Sequence, residues 1–190
     1  MSCVLAACAL SEASDALKDK NGDVNAPPIQ KKVPVDWANA ELDAKLNTGS
    51  IRPFSAQKNL AARLAVPLLL PSESITLTDM LPPMQTLSPA KIVVDERGYS
   101  AVMMAMDFTV LVDGSNQTFV TEQSSSSTQQ LNFDGEYQPI SSGGQISIGR
   151  YGALYAIQLL CTSETRKNCI TERMVREVIE SLSVYGTGPR

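Results

Sequence analysis

The side chains that could do chemistry are few, and one type is missing. The chain has four cysteines and no histidine. Without imidazole there is no Ser-His-Asp or Cys-His nucleophile system. Zinc sites built on histidine are excluded as well. A general base would have to be Asp, Glu, Lys, Tyr or Cys. Cys161 and Cys169 are separated by residues 162–168. That spacing is not the Cys-x-x-Cys of a redox pair. It suits a structural disulfide that closes a short loop, and so a compartment outside the reducing cytoplasm.

The remaining constellations each have a plainer explanation. Met103, Met104 and Met106, with Met80 and Met84, carry thioethers of the kind that bind copper(I). Methionine is also a common core filler, and the strand pattern below puts Met104 and Met106 on the core face. Asp113-Gly114-Ser115-Asn116 and Asp134-Gly135-Glu136 place oxygen atoms on turns but lack the spacing of a calcium loop. Asp95-Glu96-Arg97 could seat an acid/base pair at a strand end, although charges leaving a sheet look the same. Asn116-Gln117-Thr118 matches a glycosylation acceptor at an accessible hairpin tip. Arg150 and Tyr151 lie at a glycine-flanked bend and form the candidate binding patch, with Tyr155 assigned to the core. No catalytic residue, metal or cofactor is expected. Phosphate loops, dinucleotide fingerprints and nucleophile elbows are absent from the sequence.

The N-terminus adds a different kind of information. Leu5-Ala6-Ala7-Cys8 resembles the lipobox of bacterial lipoprotein precursors. The resemblance implies removal of a signal peptide and lipidation of Cys8. Ala9 in the next position resembles the outer-membrane sorting type. Only residues 1–7 precede Cys8, with no Lys or Arg among them, so this reading expects a truncated signal whose true start lies upstream. It implies a periplasmic protein held at the membrane by acyl chains alone.

Composition bounds the partners. The formal net charge is −4 and the pI is near 4.9. Lys and Arg are scattered, so no nucleic-acid surface is expected. No run of about 20 apolar residues could span a membrane as a helix. Residues 1–33 read as truncated signal, lipid anchor and flexible tether, the tether being the polar, Pro-containing stretch from Ser11 to Val33.

The elements that must position these residues occupy 34–186, with 187–190 as a tail. Asp36 can cap a helix whose apolar face is Ala38, Leu42 and Leu46. Ser55 can cap a second helix that includes Leu60 and Leu64. Val66 to Pro71, bracketed by prolines, is at most a short edge strand. The alternation from Ser100 to Val112 predicts one long strand, with Val102, Met104, Met106, Phe108, Val110 and Val112 inward. It turns at Asp113–Asn116 into a hairpin over 102–122. Residues 123–128 form a Ser-rich loop. Residues 145–161 are strand with a break at Gly149–Gly152, and 154–160 should be covered on both faces. Thr171 caps a last helix with its stripe at Met174, Val175, Val178, Ile179 and Leu182. The expected fold is α+β: a mostly antiparallel sheet packed by two N-terminal helices and one C-terminal helix.

These residues point to a non-catalytic, membrane-anchored envelope protein that binds another envelope protein or polymer. The alternatives are a histidine-free hydrolase of envelope polymer using Asp or Glu, and a small-ligand carrier.

If Cys161 and Cys169 are bridged, both are oxidised in exported protein. Replacing both with Ser then costs roughly 2–3 kcal/mol, from the entropy of a loop this short. Mass mapping and denaturant unfolding of the two forms check it, and free thiols at both positions would refute the bridge.

Overall fold

The computed structural model describes residues 29–32, 34–46, 60, 63–120, 132–162 and 169–186. Cys8, the second N-terminal helix around Ser55 and the Ser-rich loop at 123–128 lie outside or almost wholly outside them. Among the described residues there are two helices, α1 (Trp37–Leu46) and α2 (Glu172–Glu180), and the rest is mainly β. The fold is α+β and its strand pairs are antiparallel. Of the expected helices, one on each side of the sheet-forming region lies within the described residues.

The main sheet has seven strands. Its continuous path runs β10 (Gln138–Ile140), β11 (Gly143–Arg150), β12 (Ala153–Cys161), β7 (Phe108–Ser115), β6 (Gly98–Met104) and β5 (Lys91–Val94), and β9 (Phe133–Asp134) adds to β11. Against it lie the pair β2 (Leu68–Pro71) with β13 (Leu182–Gly186), the hairpin β3 (Ser74–Thr76) with β4 (Met84–Thr86), and α2. The core lies between these layers. Tyr99, Ala101, Met103, Phe108, Val110, Val112, Tyr155, Ile157 and Leu159 come from the sheet, and Met174, Val175 and Val178 from α2.

The expected long strand over 100–112 is two strands. Ala105 N–H donates to Phe108 O at 2.9 Å and closes a turn between β6 and β7. Four residues, 105–108, separate the paired Met104 and Thr109; an even number between partners makes the two-residue alternation change phase across the turn. Met103 is therefore the core residue, whereas Met104 is half-exposed and Met106 is 89% exposed. Of the expected turn at Asp113–Asn116, the first three residues are the end of β7 and Asn116 alone is a bend, and the strand passes close to two rings at Gly114. A Cβ on it would sit 2.5 Å from the Tyr99 ring and 3.0 Å from that of Tyr155. Beyond it, β8 (Gln117–Val120) does not fold back on β7. It pairs with β1 (Ile29–Lys32), so backbone pairing begins inside the segment read as tether.

Strand β12 is central, as its apolar character suggested, but it is fully buried on one face only. Ala153, Tyr155, Ile157 and Leu159 are inaccessible, while Leu154, Ala156, Gln158 and Leu160 are half-buried. The expected break before it is a two-residue turn at Tyr151-Gly152, with φ of 53° and 74°. Positive φ at both positions matches the twist of the flanking strands.

Helix α1 is capped as expected, Asn39 N–H donating to Asp36 Oδ1 at 3.1 Å. Its inward face is different. Ala40 is buried and Trp37 and Ala44 pack on the core, whereas Leu42 and Leu46 are 54% and 74% exposed. The inward face is thus Trp37, Ala40 and Ala44, and the expected Ala38 is exposed together with the two leucines. Thr171 caps α2, accepting from Met174 N–H at 3.3 Å. The helix stops at Glu180, and Leu182 begins β13 where the sequence pattern continued a helix. Cys161 and Cys169 form a disulfide with a Cα separation of 6.1 Å, fastening the end of β12 to the start of α2.

Burial raises the pKa of both core tyrosines. Desolvation dominates at Tyr99, where Leu69 N–H acts to lower it and Asp113 to raise it; Tyr155 is raised by desolvation and then by its tyrosine neighbours. The unfolded chain ionises tyrosine near the ordinary value of 10.0, whereas the folded chain keeps both protons. The stability held by these hydroxyls is therefore complete below pH 10 and falls as pH rises further. In Tyr99→Phe the buried Leu69 N–H and C=O lose their partner, costing about 1–3 kcal/mol at neutral pH. Its alkaline decline should be shallower by up to about 1.4 kcal/mol per pH unit. Denaturant melts at neutral and alkaline pH, read with tyrosinate absorbance, check both.

Candidate functional site

On leaving β2 the chain bends at Ser72-Glu73 and enters the β3–β4 hairpin. Leu87 N–H returns to donate to Glu73 O at 2.8 Å. The next residue is tied to the main sheet: Ser88 N–H donates to Met104 O at 2.8 Å, and Ser88 Oγ accepts from Met104 N–H at 2.9 Å. These bonds hold residues 87–90 between two layers that do not close on each other. The result is a groove of about 450 Å³. Leu70, Leu87 and Met103 are buried beneath it, and Glu73, Ser88 and Tyr185 stand along it.

Among the described residues Glu73 is the only carboxylate that lines this groove. Among the described residues the ion pairs are Arg150–Asp134, Arg173–Asp79 and Arg176–Glu172, and Glu73 is in none of them. Tyr185 reaches toward Pro71 O at 3.5 Å. Its hydroxyl pKa is raised first by burial and then by the negative charge of Glu73. An apolar floor with one carboxylate at its edge can receive an apolar chain that carries a cation.

The candidate patch at Arg150 and Tyr151 is occupied by internal bonds. Arg150 donates to Asp134 Oδ1 at 2.6 Å, Asn132 Oδ1 at 3.2 Å, Phe133 O at 3.3 Å and Gly149 O at 3.0 Å, holding β9 against β11. Tyr151 donates its hydroxyl to Asp43 Oδ2 at 2.6 Å, and its carbonyl accepts Asp36 N–H at 2.8 Å. Burial, then the bond to Asp43 and the charge of Asp43, push the Tyr151 pKa up against the opposing Arg150. Together these contacts latch α1 to the β11–β12 turn.

Other sequence candidates also resolve into local structure. Asp95 Oδ1 accepts the N–H groups of Arg97 and Gly98, both at 2.8 Å, and so shapes the β5–β6 turn. Asn116 is 4% exposed, which removes the accessible tip the glycosylation reading needs. Met103, Met104 and Met106 do not converge, since the first is buried and the last points to solvent. Among the described residues no group of three or more Asp, Glu or Cys could hold a metal.

Sequence reasoning missed Glu73 and Tyr185. Their positions are 112 residues apart, and only the β2–β13 pairing brings them to one groove (185 − 73). The one local signal was the proline-bracketed apolar run that ends just before Ser72-Glu73.

Comparison with protein-family models, with curated proteins and with solved structures finds no match.

Tyr151→Phe removes the bond to Asp43 while keeping the ring. A loss of about 1 kcal/mol is expected. Amide exchange should rise in α1 and stay unchanged in the residues along the groove. Equal stability and unchanged exchange would show that the latch carries no energy.

Proposed function

We propose that this chain is a non-catalytic binding module of the bacterial envelope, anchored through Cys8, that receives another envelope component in the groove beside Glu73. The groove carries the reading: it is open, its floor is apolar, and it has a single carboxylate. Hydrolysis of a glycan by carboxylates uses an acid and a second carboxylate facing it. A carrier of small molecules buries most of its ligand in a cavity. The disulfide between Cys161 and Cys169 agrees with an oxidising compartment. Among the described residues no helix is long and apolar enough to cross a membrane. Anchoring therefore rests on the lipobox resemblance, and groove and anchor are separable parts of the proposal.

Two measurements test them. Metabolic palmitate should label the chain expressed behind a lipoprotein signal peptide joined at Cys8, and Cys8→Ser should abolish the label; labelling that persists, or none in either form, removes the anchor. A photo-crosslinking residue at Ser72 or Ser88 should capture an envelope component in cells, whereas one at Ser141, on the β10–β11 turn, should not. Capture at Ser141 alone defeats the groove. Turnover of peptidoglycan or ester by the purified chain that vanishes in folded Glu73→Ala replaces the binder with the hydrolase.

A further inference from the structure

We propose that the groove and the free edge of β5 together bind an extended segment of a partner protein by strand addition, with a Lys or Arg of that segment meeting Glu73. This rests on the binding-module reading and names the occupant of its groove.

The first observation is the edge. β5 ends the path of the main sheet, and among the described residues no strand pairs its outer side. Asp95 N–H donates to Gly98 O at 3.1 Å, which sets the phase of the β5–β6 ladder. In an antiparallel ladder the residues that bond to the neighbour alternate. Lys91 and Val93 then bond to β6, and the N–H and C=O groups of Ile92 and Val94 turn outward. The pairing of β5 with β6 runs without a bulge, and Val93 is 72% exposed. Proteins blunt such an edge with a short strand, a lysine, a bulge, a proline or inward charge, or cover it; β5 is four residues long and carries Lys91, but has no bulge, proline or inward charge. Lys91 is the only charged residue in this strand.

The second observation is continuity. Residues 87–90 line the groove and run directly into Lys91. Side chains of an added strand would alternate between the two faces of the sheet. Those beside Ile92 and Val94 would point to the core side, where both of these residues are half-buried. One beside Ala90 would point into the groove, where Glu73 is the single charge. The site thus selects small apolar residues at every second position, followed on the same face by a cation. The chain's net charge of −4 favours the approach of a basic segment. Backbone hydrogen bonds along β5 would supply affinity and the groove would supply selectivity.

The test uses the intact chain and a labelled peptide of about ten residues, alternating Val and Thr with one Lys on the Val face, in a fluorescence anisotropy titration. Saturable binding is expected. Changing the peptide's Lys to Glu should weaken it about tenfold or more, and Glu73→Gln about two- to fivefold, the range for an exposed charge pair. Methylating alternate backbone nitrogens of the peptide should abolish binding, because it removes the strand donors and leaves the protein untouched. Equal binding of the methylated peptide overturns strand addition. Equal binding of the Glu peptide overturns the role of Glu73. A dimer seen in sedimentation and lost in Val93→Lys gives the edge to a second copy and overturns the proposal. If no peptide binds while groove crosslinks persist in cells, this inference fails and the binding-module reading stands; if the crosslinks fail as well, both fail.

Discussion

Strand β2 poses a problem that the rest of the structure is built to solve. It is buried along its length and, among the described residues, has a strand partner on one side only, β13. The opposite edge presents backbone groups to the core, where an unmet donor or acceptor costs about 1–3 kcal/mol. Two tyrosine hydroxyls stand in for the absent strand. Tyr99 accepts from Leu69 N–H and donates to Leu69 O, both at 2.9 Å, and Tyr155 donates to Pro67 O at 3.0 Å. The rings cross the core with their centroids 6.5 Å apart. They fit because Gly114 has no side chain beneath them. The spacing between the main sheet and the β2–β13 layer is set by the length of two tyrosines.

The groove follows from that spacing. Where the tyrosines reach across, the residues between the layers are buried. Past Pro71 the chain bends away, and residues 87–90 are held between the layers by Glu73 O on one side and Met104 on the other. No large side chain closes the gap. The groove opens on the side where the sheet ends in β5, so an apolar recess lies beside a strand edge that no described strand pairs. The opposite side of the molecule is treated differently. There Arg150 and Tyr151 spend their donors on Asp134 and Asp43, holding β9 and α1 in place. The two charged or polar features singled out at that bend are thus internal braces, and the surface offering unfilled bonding capacity is the β5 side.

Much of the fold could be read from local chemistry, and the misreadings share a cause. The Thr171 and Asp36 caps, the β-character of 91–94 and 153–161 and the disulfide all depend on residues close in sequence. The strand run over 100–112 was misplaced because alternation survives a turn visually while its phase does not. The short turn at Met106 moves Met103 into the core and Met104 out of it. In α1 the leucine stripe was the stronger hydrophobic signal. The helix nonetheless turns Trp37, Ala40 and Ala44 inward, a face set by its tertiary neighbours and not by its strongest apolar spacing.

The sequence by itself determined what chemistry is absent, since a chain without histidine lacks imidazole bases and ligands wherever it folds. It also determined the α+β class, the caps and the cysteine pair, because each is an interaction over a few residues or a property of composition. Only the tertiary structure decided which apolar faces are inside, that Arg150 and Tyr151 are braces, and that Glu73 and Tyr185 share a groove. Those outcomes depend on strand pairings such as Val184 with Leu69 and on two tyrosines reaching across the core. Contacts between residues so far apart in the chain leave no periodic trace in it, because pairing energy depends on the partner, and the partner is set by the fold.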